Sequence, residues 1–253
     1  MDRMIFTALN AIGGMRDNQV SQAQNLANQS VPGYRRDLPD EGATVFAELV
    51  GSFSTRAFQQ ERTSRGFSQE PGPLTATGDA MDIAIADEGY FFILPDNGEP
   101  ALSRRGDLRL DAEGVLRNGA GDAMLDMDGQ QITLPPHRDI VVNELGEIWV
   151  QPMNGQEDER ILAATLGTVI PGPDVRLQKS LDGNIRVPGD DLPPPDQGAR
   201  ISQGVLEGSN VNAVEELIDS IEMQRRFELN FKLVSAAREI DEGGARLLQV
   251  PQG

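Results

Sequence analysis

The spacing of apolar residues gives the two ends of the chain a helical period and its middle a period of two. Met1, Ile5, Ala8, Ile12 and Met15 step by four, three, four and three, and past Gln19 and Gln22 the same phase reaches Leu26. That is a heptad seam, narrower than a broad core face, and it calls for a partner helix. Gly13-Gly14 interrupts it at about 1 kcal/mol each relative to alanine, so this helix, expected over 2–28, is marginal alone. Pro32-Gly33 ends it, because proline disfavours helix in the residue before it and glycine accepts the left-handed conformations of a turn. At the other end Asn212 caps a long helix over 214–248, with Glu215 three residues on to complete a capping box. Val214, Leu217 and Ile221, then Phe227, Phe231 and Val234, form an apolar stripe predicted to pack on other helices. The triplet Gln224-Arg225-Arg226 shifts its phase. Acids crowd the first turns and Lys232, Arg238 and Arg246 follow, in the order the helix dipole favours.

Between the helices the pattern changes. Met81, Ile83 and Ile85 alternate with Asp82, Ala84 and Ala86, Tyr90 to Leu94 is continuously apolar, and short runs recur at 108–110, 140–142 and 148–150. Asp96-Asn-Gly98, Glu113-Gly114, Asp128-Gly129, Asn154-Gly155 and Asp182-Gly183 punctuate these runs as hairpin turns. Short strands with frequent turns predict an antiparallel β-domain. The fold class expected is therefore mainly β with terminal α-helices, the β-domain being inserted between N- and C-terminal helices that pair like a coiled coil. Its segments are 1–36 (first helix and turn), 37–71 (extended or mobile connector, with Phe46, Leu49, Val50 and Phe53 as a short amphipathic turn), 72–200 (β-domain) and 201–253 (final helix). Gly189 to Asp196 is expected to be a stiff, charged linker.

Composition removes function classes more than it adds them. A formal net charge of −18 over 253 residues argues against nucleic-acid phosphates and anionic membrane surfaces as partners. No run approaches the ~18–20 apolar residues of a membrane span, and the first ten residues lack the pattern of a Sec-type signal peptide, so export, if any, is expected by another route. The chain has no cysteine, which excludes thiolate catalysis, disulfides and Cys-based metal sites. His137 is the one histidine and reads as a solvated loop residue, too isolated for a triad or a metal cluster. Asp126-Met-Asp128-Gly129 has part of a calcium-loop spacing without its closing acid and is expected to be a turn. Gly119-Ala-Gly121 lacks a third glycine and a following helix, and Asn28-Gln-Ser30, though a glycosylation triplet, ends a helix. Carboxylate pairs such as Asp79 with Asp82, or Asp190 with Asp191, are the one arrangement suited to glycoside hydrolysis, and among 40 acidic residues such neighbours arise by chance. The expectation is a protein that is not an enzyme and has no cofactor, metal or small-molecule substrate.

A resemblance then organises the chain. Asn25-Leu-Ala-Asn28 with Ser30-Val-Pro-Gly33-Tyr34-Arg35 resembles the N-terminal signature of the axial proteins of the bacterial flagellum, the rod, hook and hook-junction subunits. Gly204-Val-Leu-Glu-Gly208-Ser209-Asn210-Val211 and Arg225-Arg226-Phe227-Glu228 resemble the matching C-terminal signature. Gly72 to Ile85, Gly89-Tyr-Phe-Phe92, Leu102-Ser-Arg-Arg-Gly106 and Leu110 to Leu116 are similar to the strand region of rod and hook proteins. The N-terminal residues, the length and the form of the C-terminal signatures are most like the proximal-rod members. Tyr34 stands where phenylalanine is usual, and Asp87-Glu88 replaces the glycine- or amide-rich pair that often precedes Gly89.

The resemblance implies a structural rod subunit that transmits torque for motility and sits in the periplasm-spanning rod of the basal body. Both terminal helices would lie in the core of an open filament, with the β-domain outside. Implied partners are other rod subunits, further copies of this chain and the flagellar type III export apparatus. Residues expected to carry assembly are Ile5, Ile12, Met15, Asn25, Leu26, Asn28, Gly33 and Tyr34 near one end. Near the other they are Gly208, Ser209, Asn210, Val211, Leu217, Ile221, Arg226, Phe227, Glu228 and Phe231. The alternatives are a distal-rod or hook subunit, a protein that binds or cleaves cell-wall glycan, and a cytoplasmic β-domain with incidental helices.

Overall fold

The computed structural model describes residues 2–39, 66–96, 98–154, 159–180, 182–189 and 192–248, without the side chains of residues 2–12 and of several positions beyond Lys232. Most of the expected 37–71 connector, with Phe46, Leu49, Val50 and Phe53, lies outside these residues, as does the turn glycine Gly155.

Two compact units form. One contains Met1–Ala27, Asp37–Arg65 and Asn212–Gly253, the other Asn28–Arg36 and Gly66–Val211. The first unit carries helices α1 (Asp2–Ala27) and α2 (Ala213–Leu248). α1 runs unbroken through Gly13-Gly14. Asn212 caps α2 as expected: its Oδ1 accepts from the backbone N–H groups of Val214 at 3.1 Å and Glu215 at 3.4 Å, and its carbonyl accepts from Glu216.

Among the described residues the second unit has fifteen short strands. They begin with β1 (Leu74–Ala76), β2 (Ile83–Ile85), β3 (Tyr90–Leu94), β4 (Ala101–Ser103) and β5 (Leu108–Leu110). β6 (Leu116–Asn118), β7 (Ala123–Met124), β8 (His137–Val142), β9 (Glu147–Pro152) and β10 (Ile161–Thr165) follow. β11 (Thr168–Val169), β12 (Gln178–Lys179), β13 (Ile185–Arg186), β14 (Ile201–Gln203) and β15 (Val205–Glu207) complete the set. The largest sheet has the order β12-β13-β4-β3-β7-β6-β5 with β11 also on β3, and every pairing in it is antiparallel. β10-β9-β8 form a three-stranded sheet, and the pairs β1-β15 and β14-β2 tie the last strands back to the first.

The continuously apolar run Tyr90–Leu94 has a simple cause, since β3 is covered on both faces. Phe91 and Ile93 enter a core with Ile83, Ile85, Leu116, Met124, Ile148 and Ile201, while Tyr90 and Phe92 enter a second core with Phe67, Leu102, Leu125 and Ile185. Hairpins close on side-chain turns. Asp111 Oδ1 accepts from the backbone of Glu113 and Val115, and Asp126 Oδ1 from that of Asp128 and Gln130. The Asp126–Gly129 stretch is thus the expected turn.

Several elements differ from the reading of the sequence. β14 and β15 occupy the first residues of the stretch assigned to the final helix, because the period-two signal over three residues is too short to stand out. His137 opens strand β8 and is half-buried, its Nδ1 lying 2.8 Å from the Pro135 carbonyl oxygen. The described part of the expected linker is packed: Leu192 rests on the second core and Asp196 accepts from the backbone of Ile170 and Gly198.

Candidate functional site

The two signature turns come together inside the β unit. Gly33 donates its N–H to the Glu207 carbonyl at 2.8 Å and has φ +65°, and a Cβ there would overlap the carbonyl group of Arg104. Only glycine tolerates both the left-handed backbone and that approach. Asn210 binds the turn from the other side. Its Oδ1 accepts from Arg36 N at 2.6 Å, its N–H donates to the Tyr34 carbonyl at 3.2 Å, and its Nδ2 donates to Glu70 O at 2.8 Å. Gly208 donates to Pro73 O at 2.8 Å, and Ser209 Oγ accepts from Val211 N at 3.2 Å. Asn28 starts the turn by accepting from Val31 N at 3.1 Å. Lys179 of β12 sits 3.7 Å from the Tyr34 ring centroid and donates to the Arg35 carbonyl at 2.8 Å, so the tyrosine takes a cation–π contact.

Beneath this turn lies a clasp of charges that the sequence reading did not single out. Glu207 is 1% exposed, and its Oε1 takes Arg35 Nη2 at 3.0 Å and Gly72 N at 2.9 Å, while its Oε2 takes Arg104 Nε at 2.7 Å. Arg104 also donates to the carbonyls of Ile85, Asp87 and Gly89, and Arg35 donates to Glu70 O. Arg35 Nε has no hydrogen-bond partner among the described residues. Burial pushes the Arg35 guanidinium below its ordinary value, with Glu207 opposing that fall and Arg104 adding to it. Burial likewise raises the Tyr90 phenol against the pull of both arginines. Asp87 supports the same corner, its carboxylate accepting from Gly89 N at 3.2 Å and Arg200 N at 3.0 Å.

In the helical unit Ser21, Gln22 and Asn25 of α1 are buried and Gly14, Met15, Asp17, Asn18 and Leu26 half-buried, while in α2 Glu216 is buried and Ala213, Ser220, Met223 and Asn230 are half-buried. The α2 set keeps a heptad spacing, and both sets are mostly polar. The expected α2 stripe sits beside its line, whereas the expected α1 seam shares Met15 and Gln22 with the covered positions. Gln19 is exposed and Leu26 half-buried, while Leu217 (52%), Ile221 (60%), Phe227 (47%) and Phe231 (62%) are open to solvent, as are Val214 and Ile218. Arg226 and Glu228 are exposed too, Arg226 lying 3.7 Å from Glu222. Gln22 Nε2 donates to Glu216 O at 2.5 Å, and Asn25 Nδ2 to Glu216 Oε1 at 3.0 Å. Asn230 Nδ2 lies 3.4 Å from Met15 Sδ, so the helices run antiparallel along these lines. Asn25 also brackets the backbone of Asp37, donating to its carbonyl at 2.9 Å and accepting from its N–H at 2.8 Å. The side chains of Ile5 and Ile12 lie outside the described residues.

The acid pair Asp79 and Asp82 lines an open groove with Asp107, Arg109, His137 and Asp139. Asp107 is bound by Arg105 at 2.7 Å and Asp79 by the backbone of Met81, as in an ordinary solvated surface.

Two sequence families match the chain, "Flagellar basal body rod FlgEFG protein C-terminal" over residues 202–247 and "Flagellar hook protein FlgE/F/G D1 domain" over 84–150. Flagellar basal-body rod protein FlgF of Caulobacter vibrioides is 30% identical over 251 residues, covering 98% of each chain. FlgF of Salmonella typhimurium is 30% identical over 255 residues, again covering 98% of each. The chain belongs to the flagellar basal-body rod proteins. It is a structural rod protein of the bacterial flagellum, most similar among these relatives to FlgF. Flagellar basal-body rod protein FlgG of Agrobacterium fabrum is more distant, at 26% identity over 261 residues. The rod-protein C-terminal match spans β14, β15 and α2, so it takes in Glu207, the centre of the clasp, together with Glu216. Arg35, Arg104 and Glu207 all lie within the motifs that carried the resemblance, but as charges in a strongly acidic chain they carried no signal of burial.

Proposed function

We propose that this protein is a proximal-rod subunit that polymerises through its terminal helices, which lie in a coiled-coil-like filament core with the β-domain outside. The division expected from the sequence goes with that reading: 1–36 and 201–253 assemble, 72–200 is carried outward and 37–71 connects them. It works mechanically, transmitting torque without catalysis. Other rod subunits and further copies of the chain are its partners, and the flagellar type III apparatus exports it into the periplasm-spanning rod. The observation that carries the reading is the exposed line Val214, Leu217, Ile218 and Ile221, four large apolar side chains one helical face wide, in a chain related to FlgF along almost its whole length. Each buried side chain of this kind contributes about 1.5–3 kcal/mol on leaving water, a gain available only to a covering neighbour. Head-to-tail contacts that do not close produce a filament. The test is incorporation of Ile221→Asp into basal bodies. Exclusion of a variant whose circular dichroism is unchanged is the expected result, and normal incorporation refutes the reading.

A distal-rod or hook position is the second reading, favoured by the FlgG relatives that cover more than nine-tenths of the chain. Immunolabelling of isolated basal bodies separates the two positions.

A further inference from the structure

We infer that β14 and β15 act as one closing strap, without which the rest of the β unit has no stable fold, so that a chain emerging amino end first cannot lock until residue 207 is free. The strap belongs to the β unit and holds whatever the state of the terminal helices; only its consequence for passage through a secretion channel rests on the proposed export. Its two strands lie on the first two of the unit. Ile201, Ser202 and Gln203 stand opposite Ile85, Ala84 and Ile83, and Val205, Leu206 and Glu207 opposite Ala76, Thr75 and Leu74. Between them Gly204, with φ +73°, lets the chain turn from one partner to the other, and its N–H donates to Asp82 O at 2.8 Å. Ile201 is 2% exposed and enters the core with Ile83, Ile148 and Leu166, and its N–H donates at 3.0 Å to Glu144 O, in the turn between β8 and β9. The Gln203 side chain works as a short piece of strand along the edge of β8. Its Oε1 accepts from Val142 N at 3.2 Å, and its Nε2 donates to Ile140 O at 3.1 Å and to Ala80 O at 2.8 Å. Glu207 reaches the largest sheet, because its Oε2 takes Arg104, next after β4, at 2.7 Å. Without the strap Arg104 loses the carboxylate that neutralises it, β8 loses the partners of two backbone groups, and Ile83 and Ile85 lose their cover. A marginally stable domain does not survive those losses together. Closing the long loop from β2 to β14 also costs chain entropy before any of these contacts forms, so the strap is the last part to reach a chain delivered from its amino end.

Native-state hydrogen exchange on the full-length protein is the test. Its reporters are the amides of Ile201 and Gly204 in the strap and those of Phe92 and Leu166, which donate to Gly167 O at 3.0 Å and Gly146 O at 2.8 Å in the rest of the unit. If the strap cannot leave alone, all four open together, with one urea dependence and protection factors within about threefold of one another. Faster exchange at Ile201 and Gly204, through an opening that exposes less surface while Phe92 and Leu166 stay protected, overturns the inference. Glu207→Gln keeps the shape of the side chain and removes its charge. Protection at all four amides is expected to fall by a common factor of about tenfold or more, because a buried cation loses its anion, and complete unfolding is the limit of that result. A loss confined to Ile201 and Gly204, or no loss at all, overturns the inference. Direction is tested by fusing a degradation tag to the C-terminus of the full-length chain and presenting it to a processive unfolding protease. Once the strap is drawn away the rest should follow without a stable remnant, and a folded remnant ending before Ile201 overturns the inference. None of these readouts passes through export or rod incorporation. A chain that shows the strap and is not exported removes the export reading alone, and an exported chain whose strap opens independently removes this inference alone.

Discussion

Arg35 Nη2 reaches Glu207 Oε1 across 3.0 Å, with both side chains withdrawn from solvent, and so ties the turn after the first helix to the last strand of the β unit. Arg104 holds the other oxygen of the same carboxylate at 2.7 Å. Two buried guanidiniums thus depend on one acid. Four backbone carbonyls, of Glu70, Ile85, Asp87 and Gly89, disperse the excess positive charge. A single substitution there should be costly, because it strands charge in the interior.

Glu207→Ala removes the shared partner and leaves two buried cations facing each other. We expect the β unit to lose about 3–5 kcal/mol, the scale for breaking a buried ion pair from one side. Urea denaturation followed by the fluorescence of Trp149, in strand β9 of that unit, measures it. A loss below about 1 kcal/mol would mean that the carbonyls alone hold the arginines.

Gly33→Ala should destabilise the turn over 28–36 specifically. The left-handed φ of +65° costs a residue with a Cβ about 1–2 kcal/mol, and the overlap with the Arg104 carbonyl adds to that. Hydrogen exchange should lose protection at the Gly33 N–H, which donates to Glu207, while β3 remains protected. Equal protection in both proteins would show that the Arg104 backbone yields.

Leu217→Asp and Ile221→Asp behave oppositely. Both positions are more than half exposed, so the isolated chain should change in stability by no more than about 0.5 kcal/mol. Incorporation into basal bodies should nevertheless be lost. A large drop in melting temperature in the monomer would place these side chains against the chain itself.

Acid should open two hairpins before the core. The hydrogen bond from Arg117 holds Asp111 below the usual carboxylate range. For Asp182 burial works upward, but hydrogen bonds from Arg186 and Asn184 outweigh it and the carboxyl is again held low. A depressed folded value means that each contributes stability above the unfolded pKa of about 3.9, which is lost as the pH falls through the lower folded value. The Val115 and Asn184 amides, which donate to these carboxylates at 2.7 and 3.0 Å, should therefore lose protection below about pH 4, ahead of β3. Asp111→Asn should open the first hairpin at neutral pH, and unchanged protection at Val115 in that variant contradicts the assignment.

What could be read from the residues alone was local. The Asn212 cap, the end of α1 before Pro32-Gly33, the hairpin turns and the presence of strand β2 all depend on neighbours a few positions away, and short-range sterics and hydrogen bonding decide them. Strand β3 was legible for the same reason, as five apolar residues in a row, and the structure adds that both its faces are covered. Tertiary structure decided which line of α2 is covered. The lines through Glu216 and Leu217 are adjacent on one helix, a rotation of about 100° apart, and periodicity picks out the more apolar one. Burial within the chain followed the other line, on which Glu216 accepts a directed hydrogen bond from Asn25. It also decided the fate of Arg35, Arg104 and Glu207. A charge looks alike in sequence whether solvated or buried, and it becomes a clasp only when the turn after α1, the loop after β4 and strand β15 carry opposite charges to one point and close the solvent out.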